Sequence, residues 1–303
     1  IVFAFFFAVY SVFWYLNNPR LLVLLTIAIS VILILTLGSV FARESDRLKS
    51  DWVFLALLLS FSIIFCFIFP PFTVPDEGHH FFSTYWLVDS LPFNGRVIDG
   101  DTFLVRDIDL SLYKGPLTSN AISSASFNSI FQNFSIFGNG RLVPFSDFSF
   151  SIGSENVIAK IGSVVGLQIG LLLGLGAFPV FYMGRIGSAL YFCFCAFCAY
   201  RIAPKGKSII AFVSLLPMTL HLAASYSYDS GIIAYSLILF ACLMRGFFGE
   251  QRSVEYKEII FYLVISAFLA PCKVIYSGLV LLGLFVPLSK FQDERTGRCG
   301  KLL

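Results

Sequence analysis

The sequence predicts an all-α polytopic membrane protein, and three observations carry that prediction. Of its 303 residues 57% are hydrophobic, only 13% are charged, and the apolar residues gather into long runs divided by short basic loops. A soluble domain carries roughly 45–50% apolar and about 25% charged residues. Mean hydropathy is +0.84. The net charge of +3 is too small to point to nucleic acid as a partner. Aromatic bulk comes mainly from 36 Phe, against 3 Trp, which suits lipid-facing and helix-packing surfaces.

The apolar runs fall at 1–16, 21–42, 52–69, 177–200, 208–220, 229–244, 259–270 and 274–288. A spanning helix needs roughly 17–25 residues, so about eight transmembrane helices are expected, with the weakest signal in the last four runs. The first run lacks the basic flank and small-residue cleavage site of a signal peptide and is read as a span. Because the chain opens on Ile1 inside an apolar run and closes soon after another, it is expected to be incomplete at the N-terminus and truncated in the tail at 292–303. Seven cysteines, at 66, 193, 195, 198, 242, 272 and 299, lie nearly all in or beside apolar runs and read as small buried hydrophobes. The CFCAFC cluster winds around a helix and lacks zinc-ligand spacing.

Charge sets the expected orientation. The loops at 43–51, 201–207, 245–258 and 290–301 hold 13 of the 21 Lys and Arg, and the positive-inside rule places them in the cytoplasm. The segments 1–69 and 161–291 then form the membrane part, and 70–160 is a large extracytoplasmic loop. For the basic loops to stay on one side, 161–200 must cross an odd number of times. Its first part, IGSVVGLQIGLLLGLG with five glycines, is therefore read as a short re-entrant or interfacial helix, and 177–200 as the span. The middle of the loop, Ser111 to Phe150, shows neither helical nor alternating periodicity. Recurring aromatics, from Phe127, Phe131, Phe134 and Phe137 to Phe145, Phe148 and Phe150, argue that it packs on something.

At the start of that loop stands FPPFTVPDEGHHFF, residues 69–82. Thr73 and Pro75 suggest a helix start, with Asp76 and Glu77 favoured at the positive end of the helix dipole. At helical spacing Asp76, His79, His80 and Ser83 share one face. Two of the chain's three histidines lie here, and ionisable groups at a membrane boundary are costly unless used. The bland alternative makes the carboxylates capping groups and the histidines interfacial side chains. The pattern lacks H-E-x-x-H and a second E-x-x-H, so neither a metalloprotease nor a di-iron bundle is expected.

FPPFTVPDEGHHFFSTYWL resembles the P-P-D-E-x-x-H segment of a bacterial family of polytopic membrane proteins, domain of unknown function 2142. LLPMTLHLAASYSYDSGIIAYSLILF at 215–240, APCKVIYSGLVLLGLFVPLSKF at 270–291 and MGRIGSALYF at 183–192 resemble further segments of that family. Gly78 and His79 depart from its pattern, which makes His80 the counterpart of the family histidine.

The resemblance implies a GT-C-like membrane glycosyltransferase of the bacterial cytoplasmic (inner) membrane. Such an enzyme takes sugar from a polyprenyl phosphate-linked donor and passes it to a glycan or lipid acceptor on the extracytoplasmic face. The reaction needs a base for the acceptor hydroxyl and positive charge for the departing phosphate. By analogy Asp76 is the expected base, with Glu77 as substitute or orienting partner. His80, Arg185 and Lys273 are expected at the phosphate, and Asp229 at sugar or acceptor hydroxyls. His221 and Tyr226 are weaker candidates for the same cavity. A divalent cation, Mg or Mn, held by Asp76, Glu77 and His80 is an optional addition. The competing assignments are lipid-headgroup snorkelling for Arg185 and Lys273 and helix capping for Asp229. Two rival functions stay open, a glycolipid or polysaccharide transporter or flippase, and a non-catalytic partner in surface-polysaccharide assembly.

Overall fold

The structure is a computed structural model that describes residues 46–90, 97–99, 102–114, 134–148, 150, 156–250, 254–272 and 274–292. The chain runs through α1 (Asp46–Ile68), α2 (Glu77–Ser90), β1 (Val97–Asp99), β2 (Thr102–Arg106), α3 (Asp107–Lys114), β3 (Leu142–Phe145), α4 (Ile161–Leu172), α5 (Ala177–Ile202), α6 (Lys207–Ser214), α7 (Pro217–Ala223), α8 (Asp229–Phe248), α9 (Tyr256–Leu269) and α10 (Ser277–Leu281). Single 3-10 turns at Val157–Lys160, Val274–Tyr276, Leu282–Phe285 and Leu288–Lys290 complete it.

Among the described residues α1, α5 and α8 are long and apolar enough to cross a membrane. The expected spans at 1–16 and 21–42 lie outside the described residues, as do 293–303 of the expected tail. The remaining runs differ from the expectation of one span each. Pro217 has no N–H to donate and is tolerated at a first helical turn, so it divides the run at 208–220 into α6 and α7. The run at 259–270 becomes the 14-residue α9. The run at 274–288 breaks into turns around the five-residue α10. In contrast 229–244, grouped with the weak runs, extends into the 20-residue α8.

Contacts along α5 fix the direction of its neighbours. Near one end Asp51 of α1 pairs with Arg201 at 3.0 Å and with Lys207 at 3.3 Å. Midway Cys193 donates to Ser62 at 3.3 Å, and at the far end Arg185 reaches the carbonyl of Cys66 at 2.9 Å. Thus α1 and α5 run antiparallel. Helix α4 returns along α5 as a close-packed hairpin. A Cβ on Gly166 would lie 2.1 Å from the Met183 carbonyl oxygen, and one on Gly187 would lie 2.3 Å from that of Gly162. Small residues at four-residue spacing allow this approach, the usual device where apolar helices pack without a hydrophobic driving force. Helix α4 has only 12 residues, and its Ile161, Val165, Ile169 and Leu172 side chains remain exposed.

The segment between α1 and α4 is not purely helical. Strands β1, β2 and β3 form an antiparallel sheet in that order, with Phe103 opposite Phe145 and Arg106 opposite Leu142. β3 is four residues long and carries Pro144, which leaves no alternating pattern to detect. The aromatics divide. Phe145 stacks on Phe82 with centroids 4.2 Å apart, and Phe148 and Phe150 close around it, whereas Phe134 and Phe137 are exposed. Phe127 and Phe131 lie outside the described residues. Helix α2 is thereby sandwiched between the sheet and the α4–α5 hairpin, with Phe81, Phe82 and Tyr85 fully buried.

Candidate functional site

The segment FPPFTVPDE turns the chain from the end of α1 into α2, and its prolines prevent α1 from continuing. The helix begins at Glu77, not at Thr73. Thr73 turns back and donates its hydroxyl to the Pro70 carbonyl at 2.7 Å. Asp76 occupies the cap position, its carbonyl accepting from the His80 N–H at 3.0 Å. Two non-glycine residues bracket the turn in the left-handed region, Phe72 at φ 61° and Asp76 at φ 57°. Such conformations cost about 1–3 kcal/mol each and persist only where the surroundings impose them.

The surroundings here are an ion pair. Arg185 donates from Nε to Glu77 Oε1 at 2.8 Å and from Nη2 to Glu77 Oε2 at 2.5 Å. Its other donors take the carbonyls of Cys66 at 2.9 Å, Phe69 at 2.5 Å and Pro70 at 3.1 Å. Glu77 Oε2 also accepts the Phe72 N–H at 3.1 Å. Both side chains are fully buried. The guanidinium's five donors and the carboxylate are thus spent on one another and on the backbone of the turn. Neither presents a free group to a ligand in this arrangement.

The two carboxylates of the PDE motif therefore have opposite environments. Glu77 is buried, while Asp76 beside it is exposed. The predicted shared face does not hold together as one surface. His79 packs edge-on against Phe148 and Phe150, His80 packs edge-on against Tyr228, and Ser83 is buried where it accepts from the Lys160 ammonium. Asp229 is the first residue of α8, next to the Tyr228 that meets His80, and its N–H donates to Ser227 Oγ at 3.2 Å. The structure thus brings His80 to the Tyr228–Asp229 corner. Lys273 lies outside the described residues. His221 stacks on Phe69 with centroids 4.4 Å apart, and burial, followed by the charge of Arg185, lowers its pKa. The Tyr226 hydroxyl donates to the Phe181 carbonyl at 2.9 Å, deep in the core. Glu77 is committed to Arg185, and among the described residues no three metal-ligating side chains converge. With Asp76 exposed and Glu77 buried against Arg185, Asp76, Glu77 and His80 do not meet as one cation site in this arrangement.

A second clamp, which no local sequence pattern marks, holds the segment between α2 and α5. Arg106 donates to both oxygens of Asp109, at 2.7 and 2.8 Å, and reaches the carbonyls of Gly138 at 3.2 Å and Leu175 at 2.7 Å. Tyr85 of α2 donates to the same Asp109 at 2.9 Å. Burial, with Asp109 adding to it, raises the Tyr85 phenol well above its usual range and keeps it a neutral donor. Lys160 reads in the sequence as one more cation in a polar loop, yet it is buried and donates to Ser83. The signal for Arg185's true partner was present: a charge within an apolar helix needs a counter-ion, and the nearest acids at that boundary are Asp76 and Glu77.

Residues 157–302 match the model of a family described as a predicted membrane protein, DUF2142. The match takes in Arg185, Asp229 and Lys273 and begins beyond Asp76, Glu77 and His80. No curated protein matches the chain, and no solved structure does. Over its C-terminal half the chain is therefore similar to a membrane protein family of unknown function.

Proposed function

We propose that the protein is a GT-C-type glycosyltransferase of a bacterial cytoplasmic membrane, taking sugar from a polyprenyl phosphate-linked donor. Its acceptor is a cell-surface polysaccharide or glycolipid on the extracytoplasmic face. One observation carries the reading: of two adjacent carboxylates, Asp76 is exposed on a strained cap, while Glu77 is buried in the clamp that imposes the strain. That arrangement suits a base presented on a rigid mount.

In the proposed reaction an acceptor hydroxyl attacks the anomeric carbon as its proton passes to the Asp76 carboxylate. The new C–O bond forms while the bond to phosphate breaks, and the polyprenyl phosphate leaves with the electron pair. Glu77 and Arg185 act as positioning residues. His80 and Lys273 are the cations proposed for the phosphate, and Asp229 is proposed for sugar or acceptor hydroxyls. The test is transfer by the purified full-length protein from labelled polyprenyl phosphate sugars. Asp76→Asn should lower the rate by about 10²–10⁴-fold with unfolding unchanged, and full activity in that variant overturns the assignment.

A second reading, a glycolipid transporter, draws on the break between α6 and α7. It also draws on the polar pairs Ser188–Ser230 and Tyr191–Tyr235, at 3.1 and 2.9 Å, inside the helical layer. Broken helices and internal polar contacts are features of transporters. Movement of labelled glycolipid across proteoliposomes without bond formation selects it.

A further inference from the structure

The end of the bundle opposite Asp76 holds a cavity of about 600 Å³ between α8, α9 and the turns around α10. This is within the usual range of small-ligand sites, roughly 300–1,000 Å³. Its walls are mainly aliphatic and aromatic, among them Leu243, Phe261, Leu284 and Val286, while Arg245, Lys257 and Glu258 supply the charge. Glu258 is already engaged: Oε1 accepts from Arg245 Nη2 at 2.6 Å, and Oε2 accepts from the Glu255 N–H at 3.3 Å, capping α9. Arg245 Nε is buried and has no acceptor among the described residues, and Lys257 is exposed beside it. A buried donor left unmet costs about 1–3 kcal/mol, and an anionic oxygen would meet it.

We infer that this cavity binds one anionic phospholipid, its phosphate on Arg245 Nε and Lys257 and an acyl chain along Leu284 and Phe261. Two cations against one spent carboxylate select negative charge. Apolar walls select a chain in place of a free anion. The position, at the basic end of α8 where α9 begins, is where anionic headgroups concentrate under the positive-inside rule. The site is independent of the transferase reading, because it shares no residue with Asp76 or its clamp.

Native mass spectrometry of the full chain in non-ionic detergent tests this, with dipalmitoyl phosphatidylglycerol and the phosphatidylcholine of the same chains as probes. Phosphatidylglycerol should bind at least about tenfold more tightly, the ratio that one charge-assisted hydrogen bond supports. Arg245→Gln should bring the two lipids together. Leu284→Trp, at a half-exposed position, should weaken both by filling the cavity. Lys205→Gln is the control, because Lys205 lies over Phe248 at the same end without lining the cavity, and it should change neither. Equal affinity for the two lipids, an unaltered Leu284→Trp variant, or a Lys205→Gln loss as large as that of Arg245→Gln overturns the proposal.

Discussion

Glu77→Gln is the most searching perturbation of the Arg185 clamp, because it keeps the shape of the side chain and removes only its charge. Glu77 accepts three hydrogen bonds, two from Arg185 and one from the Phe72 N–H. A glutamine can accept through one oxygen, and its amide group must face a donor at the other position. Arg185 remains buried with no counter-ion, a situation that costs about 3–5 kcal/mol. Arg185→Met should cost more, since it strands the carboxylate and also removes the donors serving Cys66, Phe69 and Pro70. The double variant should be less destabilised than the sum of the singles, with a coupling toward the upper part of about 0.5–3 kcal/mol. Unfolding in mixed micelles at rising SDS fraction, followed by helical circular dichroism, measures all three. A Glu77→Gln variant within about 0.5 kcal/mol of the parent would show that the pair does not hold the turn.

Three further outcomes are expected. Gly166→Val should destabilise the α4–α5 hairpin by at least about 1–3 kcal/mol, the usual cost of overpacking, because its Cβ meets the backbone at Met183; Gly278→Ala, with open space around it, should be neutral in the same unfolding assay. His221 has a depressed folded pKa, so its contribution to stability is present above the unfolded value of 6.5 and is lost as pH falls toward the folded one. Unfolding midpoints at about pH 7.5 and about pH 5.5 should therefore differ more in the parent than in His221→Phe, and equal differences would reject the assignment. Arg106→Lys keeps the charge but loses the planar fork, so amide hydrogen exchange at Asp107, Gly138 and Gly176, whose N–H groups bridge this region, should speed up by at least about tenfold.

Two of the helices long enough to cross a membrane, α1 and α5, were legible because an apolar helix announces itself by length and composition. The α4–α5 division was legible too, since the glycines pointed to a short first helix. The sheet was not, because β3 is too short and too interrupted by Pro144 to alternate. The candidate site was half legible. Asp76 stands out, but Asp76 and Glu77 look equivalent as letters, and only Arg185, 108 positions later, separates the buried carboxylate from the exposed one. Lys160 finds Ser83 across 77 positions, a pairing no local pattern encodes.

The two ends of α1 are gripped by the same helix. Arg201 at one end of α5 takes Asp51, and Arg185 nearer the other takes the carbonyls at 66, 69 and 70. The pair works as a gauge: the length of α1 between its grips must match the rise of α5 between two arginines 16 positions apart. One residue inserted between Asp51 and Cys66 would turn one grip by about 100° relative to the other, so both could not be kept. Drift in this helix should then be confined to substitution, with its residue count held constant, so that the turn carrying Asp76 stays in register with Arg185.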